Sequence, residues 1–286
     1  MPIPNLIYGT AWKQDRTADL VYTALRCGFR AIDSAAQPQH YHESGAGHGL
    51  RRAVAEGLVR RDHVFIQTKF TPAESQRHTA PYDLCAPLVD MVRQSVGSSL
   101  RSFTVPGQEP YLDSLFLHTP MKDLQDTVTV WRTLESYVPH QIRSLGICNV
   151  TLDVIRALHH GMTVKPSFVQ NPLDKHRGFD ADLRRFCRQR DMVFQSFWTL
   201  TANTDLAQSQ VVRHVAQMAG VQLVPAYFSL VLGLGAIAIL DGTTQEENMM
   251  SDLQGVEKVS AWAQGAEGSL IWQAALVDFK KLVGDA

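Results

Sequence analysis

Short, almost wholly apolar runs alternate along this chain with longer segments in which apolar residues recur every three or four positions. The runs Leu6 to Gly9, Phe29 to Ile32, Val64 to Thr68 and Leu112 to Leu117 predict strands. So do Ile142 to Ile147, Ser167 to Val169, Met192 to Ser196 and Ala236 to Leu240. Their near-continuous hydrophobicity suits parallel strands covered on both faces. The segments between them predict helices with recognisable ends. Thr17 is placed to cap a helix whose face is Leu20, Val21, Ala24 and Leu25, and Gly28 suits its left-handed terminator. Asp83 precedes a face of Leu84, Leu88, Val92 and Val96, and Thr151 precedes Leu152, Ile155 and Leu158, with Gly161 as the stop. Asp180 precedes Leu183 and Phe186, while Val211, Val215 and Met218 share a face ending at Gly220. The segment after Gly242 is predicted helical. Eight strand-then-helix units with no break in composition predict an α/β fold, a (β/α)8 TIM barrel, as a single domain over residues 1–286. A doubly wound open sheet has the same element count and stays open at this point.

Composition adds exclusions. The formal net charge is −1 and no block of like charges occurs, so nothing favours nucleic acid or an anionic membrane surface as partner. Cys27, Cys85, Cys148 and Cys187 are widely spaced and form no C-x-x-C pair, which predicts free thiols in a reducing compartment, here the cytoplasm. Met1-Pro2-Ile3-Pro4 has neither a basic region nor a long apolar run, so no secretory signal is expected. Leu223 to Leu240 carries no charge and approaches the length of a membrane span, but Pro225, Gly233 and Gly235 divide it. A buried helix followed by a buried strand is the reading adopted.

In such barrels the C-terminal ends of the strands carry function. The polar residues following the apolar runs are Asp33, Lys69, His118, Asn149 and Gln170. An isolated Asp, Lys or His at such a place is most often structural; the repeat of one register in five strands gives the set its weight. An Asp–Lys pair beside a tyrosine solves a definite problem, the delivery of a proton to an alkoxide forming at a carbonyl. A free tyrosine, with a pKa near ~10, gives up its proton poorly at neutral pH. An adjacent ammonium is expected to lower that pKa, with the carboxylate holding the ammonium in place. A neighbouring histidine can hydrogen-bond the carbonyl oxygen.

The motifs here resemble a known family. Ile7-Tyr8-Gly9-Thr10-Ala11-Trp12 resembles the opening of aldo-keto reductases, as do Phe29 to Ala35 with Tyr41 and Glu43 beyond. Gln67-Thr68-Lys69, Leu117-His118, Ile142 to Val150 and Val169-Gln170-Asn171-Pro172 follow in the family's order across essentially the whole chain. The resemblance implies a catalytic tetrad of Asp33, Tyr41, Lys69 and His118, with Tyr41 as proton donor, Lys69 its modifier, Asp33 the anchor of Lys69 and His118 the carbonyl orienter. It implies a cofactor site from Thr10, Ala11, Cys148, Asn149, Gln170, Phe197, Trp198, Leu200, Asp241, Gly242, Thr243 and Thr244. Within that site Asn149 and Gln170 would hold the nicotinamide carboxamide and Phe197 would stack on the ring. Trp12, Thr119 and Trp198 would line the substrate pocket, with selectivity set by loops around Trp12, Thr71 to Ala80, Thr119 to Asp123 and Trp198 to Asn203. The implied activity is NAD(P)H-dependent reduction of an aldehyde or ketone, a small-molecule carbonyl, by a monomer or weak homo-oligomer.

The departures from the pattern are specific. Ser34-Ala35-Ala36-Gln37-Pro38-Gln39-His40 is longer than the usual loop before the tyrosine and resembles a subgroup with Gln-Pro-Lys-His-Tyr. Cys148 replaces a serine beside the carboxamide, at the expected cost of one hydrogen bond. NADP(H) is the family default, yet Asp241-Gly242-Thr243-Thr244 and Glu247 stand where basic residues commonly clasp the 2′-phosphate. Carboxylates there make NAD(H) the other expectation. Two readings from other classes draw on the same residues. A metal-dependent hydrolase on a TIM barrel would draw on His40, His42, His118 and Asp241; no metal is expected, because the H-x-H pair sits well past its strand. A Schiff-base lysine at Lys69 leaves Asn149 and Gln170 unexplained. A non-catalytic, cofactor-binding subunit of the same family has no use for an intact tetrad. Gly45-Ala46-Gly47-His48-Gly49 and Gly233-Leu234-Gly235 are expected to be packing and turn glycines, not phosphate loops.

Overall fold

The computed structural model describes residues 3–77 and 79–285. Eight strands follow one another in chain order as a closed barrel. They are β1 (Leu6–Gly9), β2 (Ala31–Asp33), β3 (Phe65–Phe70), β4 (Ser114–Leu117), β5 (Leu145–Cys148), β6 (Phe168–Pro172), β7 (Val193–Phe197) and β8 (Ile237–Asp241). Pairing is parallel, with Gly9 opposite Asp33, Asp33 opposite Gln67, Lys69 opposite Phe116 and Cys148 opposite Gln170. The barrel expectation is met and the open sheet falls away. Strand ends differ in one consistent way: β2, β3, β6, β7 and β8 run further than their apolar runs, taking in Asp33, Lys69, Gln170, Phe197 and Asp241. Backbone pairing continues where side chains turn polar, so a count of apolar residues stops short. Conversely β4 and β5 begin later than expected, preceded by a lone parallel bridge between Leu112 and Ile142.

The chain divides into two compact units, the first ending at Gln170 and the second beginning at Asn171. In the first unit the helices are α1 (Thr17–Cys27), α2 (Glu43–Ala55), α3 (Leu88–Phe103), α4 (Leu124–Glu135) and α5 (Leu152–Gly161). The α1 face is as expected, and Gly28 ends the helix at φ 118°, a conformation costly to any residue with a Cβ. Thr17 is not its cap: Arg16 holds that position, and the Thr17 hydroxyl donates to the Gln14 carbonyl at 2.7 Å. Asp83 begins no helix either. Its carboxylate accepts the Cys85 N–H in a turn, Leu84 stays exposed, and α3 starts after Pro87, whose extended ψ sets the entry. Thr151 precedes α5 without a capping bond, and Gly161 is the helix's last residue rather than its stop.

The first glycine cluster lies inside α2 and serves packing. A Cβ on Gly47 would lie 1.8 Å from the Ser102 carbonyl oxygen of α3, and one on Gly49 2.4 Å from the Ala18 carbonyl of α1. Bare backbone at two positions lets α2 nest between its neighbours.

In the second unit the helices are α6 (Ala181–Arg188), α7 (Thr204–Ala207), α8 (Gln210–Ala219), α9 (Leu223–Leu232), α10 (Glu246–Gln264) and α11 (Ser269–Leu282). Asp180 precedes α6 in a left-handed conformation and caps nothing; its carboxylate accepts from Asn171 and pairs with Arg177. On α8 the buried stripe is Val212, Val215, Ala216 and Ala219, and Met218 faces outward. The expected face was rotated by about one residue; Gly220 ends the helix at φ 63° as anticipated. The uncharged stretch from Leu223 resolves into mostly buried α9 and then β8. Among the described residues no single helix is long and apolar enough to cross a membrane, and α8 and α9 meet at 106°.

Gly47→Ala is expected to destabilise the protein by about 1–3 kcal/mol, because the new methyl meets backbone that cannot rotate away. Urea unfolding measures this, and an unchanged midpoint would contradict the close α2–α3 approach.

Candidate active site

The first unit holds a buried ion pair at the strand ends. Lys69 Nζ lies 2.6 Å from Asp33 Oδ2, both side chains being about 1% exposed. The ammonium also donates to the Ser34 carbonyl at 2.8 Å. Asp33 Oδ1 accepts from Gln67 Nε2 at 2.6 Å and Gln170 Nε2 at 3.0 Å, so both carboxylate oxygens are bonded. Burial alone would push the Lys69 pKa down; the Asp33 carboxylate reverses this, and the net shift is upward. Lys69 is therefore a fixed positive charge. Sequence reading passed over Gln67, although a period of two puts it on the same face as Lys69.

Tyr41 stands above this pair, with Lys69 Nζ 5.2 Å from its ring centroid. Its pKa is pushed up to about 12, first by burial; Lys69 pulls it down but does not win. The expectation of a lowered tyrosine is thus corrected: the ammonium acts in the expected sense, but the cost of burying a phenolate exceeds it. The phenol keeps its proton at neutral pH. The long loop leading to it is tied internally, since the Tyr41 and His40 N–H groups both donate to the Gln37 carbonyl at 3.0 Å. That turn absorbs the extra residues and places Tyr41, not Pro38, over Lys69.

His118 follows β4 as expected and meets Tyr41 edge to face, ring centroids 6.0 Å apart. Burial, with Lys69 and His40 adding to it, lowers its pKa to about 3, so the ring is neutral throughout the working range. The Thr71 hydroxyl holds His118 Nδ1 at 2.8 Å. Asn149, exposed and left-handed at φ 54°, donates its amide to the His118 carbonyl at 2.9 Å. Gln170 Oε1 accepts from the Cys148 thiol at 3.6 Å, so the cysteine keeps a weak hydrogen bond in place of the serine's. Burial raises the Cys148 pKa despite Lys69, and the thiol is neutral. Thr10 commits both its hydroxyl and its N–H to the Asp33 carbonyl, which leaves it a brace under the site. Trp12 is exposed, and its ring lies on His40 with centroids 3.9 Å apart. Ala11 and Thr119 are half-buried. Of the loop Thr71 to Ala80, His78 lies outside the described residues.

Glu43, at the first turn of α2, is a member of this site to which the sequence assigned no role. Its carboxyl accepts from Thr68 Oγ1 at 2.5 Å and Ser99 Oγ at 2.9 Å. Burial lifts its pKa to about 7 against those two bonds and the pull of Lys69.

The second unit carries the remaining expected cofactor residues. Phe197 and Trp198 meet edge to face at 5.2 Å, with Trp198 left-handed and largely exposed. Asn203 braces the loop between them and α7 by donating to the Leu173 and Thr199 carbonyls, and Leu200 is half-buried within it. At the end of β8, Asp241 Oδ1 accepts the Thr243 N–H at 2.9 Å, Gly242 is exposed and Thr244 half-buried. Asp252 of α10 is buried beside Asp241, and burial with that neighbouring carboxyl raises its pKa to about 7. Glu247 faces solvent on the first turn of α10. Among the described residues no three His, Cys, Asp or Glu side chains are placed together to hold a metal ion.

The first unit thus brings a buried ammonium–carboxylate pair beneath a protonated phenol and beside a neutral imidazole. Residues 5–265 match the Aldo/keto reductase family, and the chain belongs to that family. It is 30% identical over 179 residues to an NADPH-dependent D-xylose reductase of Meyerozyma guilliermondii, a match covering 59% of this chain and 56% of the relative. To an NADH-dependent D-xylose reductase of Candida parapsilosis it is 28% identical over 179 residues, covering 59% and 54%. The chain spans just over half the length of these curated relatives in the matched region. Among solved structures, an aldo/keto reductase from Brucella melitensis superposes with TM-score 0.71 at 19% identity, covering 91% of this chain and 93% of that one. A Bombyx mori aldo-keto reductase in complex with NADP gives TM-score 0.71 at 18% identity, covering 91% and 88%. These likenesses agree in fold.

Glu43 and Asp252 both have folded-state pKa values above the ordinary carboxylate range, so the folded protein holds protons that the unfolded chain has released. Their stabilising share is complete below that range and is lost as pH rises through about 7. Tm is expected to fall from about pH 5 to about pH 8, and Glu43→Gln to flatten the slope. A wild-type Tm that climbs over that interval would contradict the buried, protonated carboxyls.

Proposed function

We propose that this chain reduces an aldehyde or ketone to an alcohol with a nicotinamide cofactor, Tyr41 delivering the proton. One observation carries the reading: the buried Lys69–Asp33 pair lies directly under a Tyr41 phenol that stays protonated, beside a His118 that stays neutral. In the tautomer whose Nδ1 accepts from the Thr71 hydroxyl, the neutral imidazole carries its proton on Nε2 and can donate to a carbonyl oxygen. As negative charge grows on that oxygen, the fixed Lys69 ammonium stabilises both it and the phenolate left behind. Asp33, held by Gln67 and Gln170, keeps Lys69 from drifting. Acid catalysis of this kind contributes about 10²–10⁴-fold, orientation supplying much of the rest.

The donor set fits a nicotinamide dinucleotide, which would supply hydride to the carbonyl carbon. Asn149 is exposed, and its Oδ1 is bonded to no described residue, which suits a carboxamide NH2. Gln170 would contribute by exchanging its bond to Asp33 or Cys148. We assign the preference to NADH over NADPH. Asp241 already occupies the Thr243 N–H that a phosphate would seek, and Asp252 and Glu247 add carboxyls on the following helix. Relatives include xylose reductases described as NADPH-dependent and as NADH-dependent, so the family accommodates either. The reading further places a small carbonyl compound in the pocket of a monomer or weak homo-oligomer in the cytoplasm, where the four free cysteines stay reduced.

Titration with NADH and NADPH, followed by nicotinamide fluorescence, should show micromolar binding of NADH and weaker binding of NADPH. The reverse order would refute the role given to Asp241, and binding of neither would refute the reductase reading. Tyr41→Phe should lower kcat by about 10²-fold or more while leaving cofactor affinity within about twofold, since only the proton donor is lost. Full turnover in that variant would displace Tyr41 as the acid.

A further inference from the structure

Helix α11 is apolar on two sides. Its inner side is anchored: Ala275 and Phe279 are buried, and the Phe279 ring meets Tyr227 of α9 edge to face at 6.1 Å. Trp272 and Leu276 close against Gly233, where an added Cβ would lie 3.0 Å and 2.9 Å from them. The helix is thereby fixed in rotation, and its other side faces outward. That side carries Leu270, which is 75% exposed, Val277, which is 54% exposed, and an exposed Ala274 between them. Single exposed leucines are ordinary on a protein surface. Here the three are in line, because steps of four and three residues return to one face of a helix. A surface helix normally turns charge to water, not a second apolar stripe.

The stripe ends in opposite charges. Glu267, exposed just before the helix, and Lys281, exposed in its last turn, lie seven residues on either side of Ala274. From Glu267 through Leu270, Ala274 and Val277 to Lys281 the steps are three, four, three and four, the seam spacing of a two-stranded coiled coil. Turned about a two-fold axis at Ala274, this seam complements itself: Glu267 comes opposite Lys281 twice, and Leu270 comes beside Val277. Parallel pairing would instead bring Glu267 onto Glu267 and Lys281 onto Lys281, which like charge disfavours. Antiparallel helices also set opposite ends of their macrodipoles together. Ala274 at the axis leaves room for the close approach, about 8 Å between helix axes, that small side chains permit. Lys281 already reaches Asp278 at 2.8 Å on its own helix, and both side chains stay exposed. An ammonium has three donors, so Lys281 can take a second carboxylate.

We propose that the outer face of α11 is a homodimer surface, on which a second copy of this chain packs its own α11 antiparallel. Pairing here would hold whether or not the chain reduces carbonyls, and it narrows the monomer-or-weak-homo-oligomer state to a two-fold dimer. One helix from each protomer makes a contact smaller than the ~1,600 Å² of a standard interface, so the dimer is weak, with a Kd on the order of 10–100 µM.

Sedimentation velocity of the purified chain, without substrate or cofactor, tests this from well below that range to well above it. The weight-average mass is expected to climb from that of one chain toward that of two. Leu270→Gln should weaken association by about tenfold or more, as loss of a central apolar contact does. Because Leu270 is largely exposed within its own chain, the urea midpoint of that variant should stay unchanged. Glu267→Lys and Lys281→Glu should each weaken association by about threefold to tenfold, since two attractions become two repulsions. The double reversal should restore the wild-type value. With parallel pairing none of these reversals would matter, because like charges would face each other throughout. A wild-type chain that stays monomeric, its face covered by some other partner or by none, overturns the proposal. So does a dimer that Leu270→Gln or the single reversals leave unchanged, because its contact then lies elsewhere. Neither result bears on the reductase reading, which the nicotinamide titration tests separately.

Discussion

A lysine ammonium sealed almost completely from water is unfavourable unless its partners replace hydration, and the arrangement around Lys69 follows from that demand. Asp33 supplies the opposite charge and the Ser34 carbonyl a second acceptor. The carboxylate in turn would be under-bonded but for the amides of Gln67 and Gln170. Removing any one member leaves buried charge or a buried dipole unsatisfied, which is far more costly than the pair's net contribution is favourable. The cluster therefore selects for residues on β2, β3 and β6 at once, and it can assemble only where those strands end together.

The electrostatics of the neighbouring groups are consequences of that fixed charge competing with burial. Tyr41 and Cys148 are drawn toward ionisation by Lys69, yet burial outweighs it and both remain protonated. At His118 burial and Lys69 push the same way, and the ring is neutral. The result is a protonated phenol, a neutral imidazole and a permanent cation, a combination that under the proposed function would stabilise charge developing on an oxygen without a resident charge to neutralise first. Glu43, tied to Thr68 and Ser99, links the start of α2 to the strand that carries Lys69. The glycines farther along α2, which let that helix lie close to α1 and α3, thereby bear on the active site as well as on packing.

The departures from the family's common pattern have separate physical answers. The longer loop closes on itself at Gln37 and returns Tyr41 to its place, while presenting His40 as an additional polar group. Cys148 retains a weak bond to Gln170, so the amide stays oriented. Asp241 organises the turn after β8 by accepting the Thr243 N–H, and under the proposed function its carboxylate would suit a ribose hydroxyl better than a phosphate.

Much of this was legible in the chain. Eight apolar runs separated by helical periods determined a parallel α/β fold, because burial on both faces of a parallel strand leaves an unmistakable pattern; closure into a barrel rather than an open sheet was decided by the structure. The order of Asp33, Tyr41, Lys69 and His118 at or beyond the ends of those runs determined which chemistry to expect. What sequence could not supply was whatever depended on distance. Strands continue through polar residues, so Asp33, Lys69 and Gln170 belong inside them; helix faces are set by neighbours, so Met218 turns outward against its periodicity, and Leu84 lies exposed in a turn before α3. The sign of the tyrosine shift was decided only once burial could be weighed against one ammonium at a definite separation. Likewise the contact of His40 Nδ1 with Gln37 Oε1 depends on where Ser75 directs an amide 38 positions earlier in the chain, a relation that exists only after folding brings the two loops together.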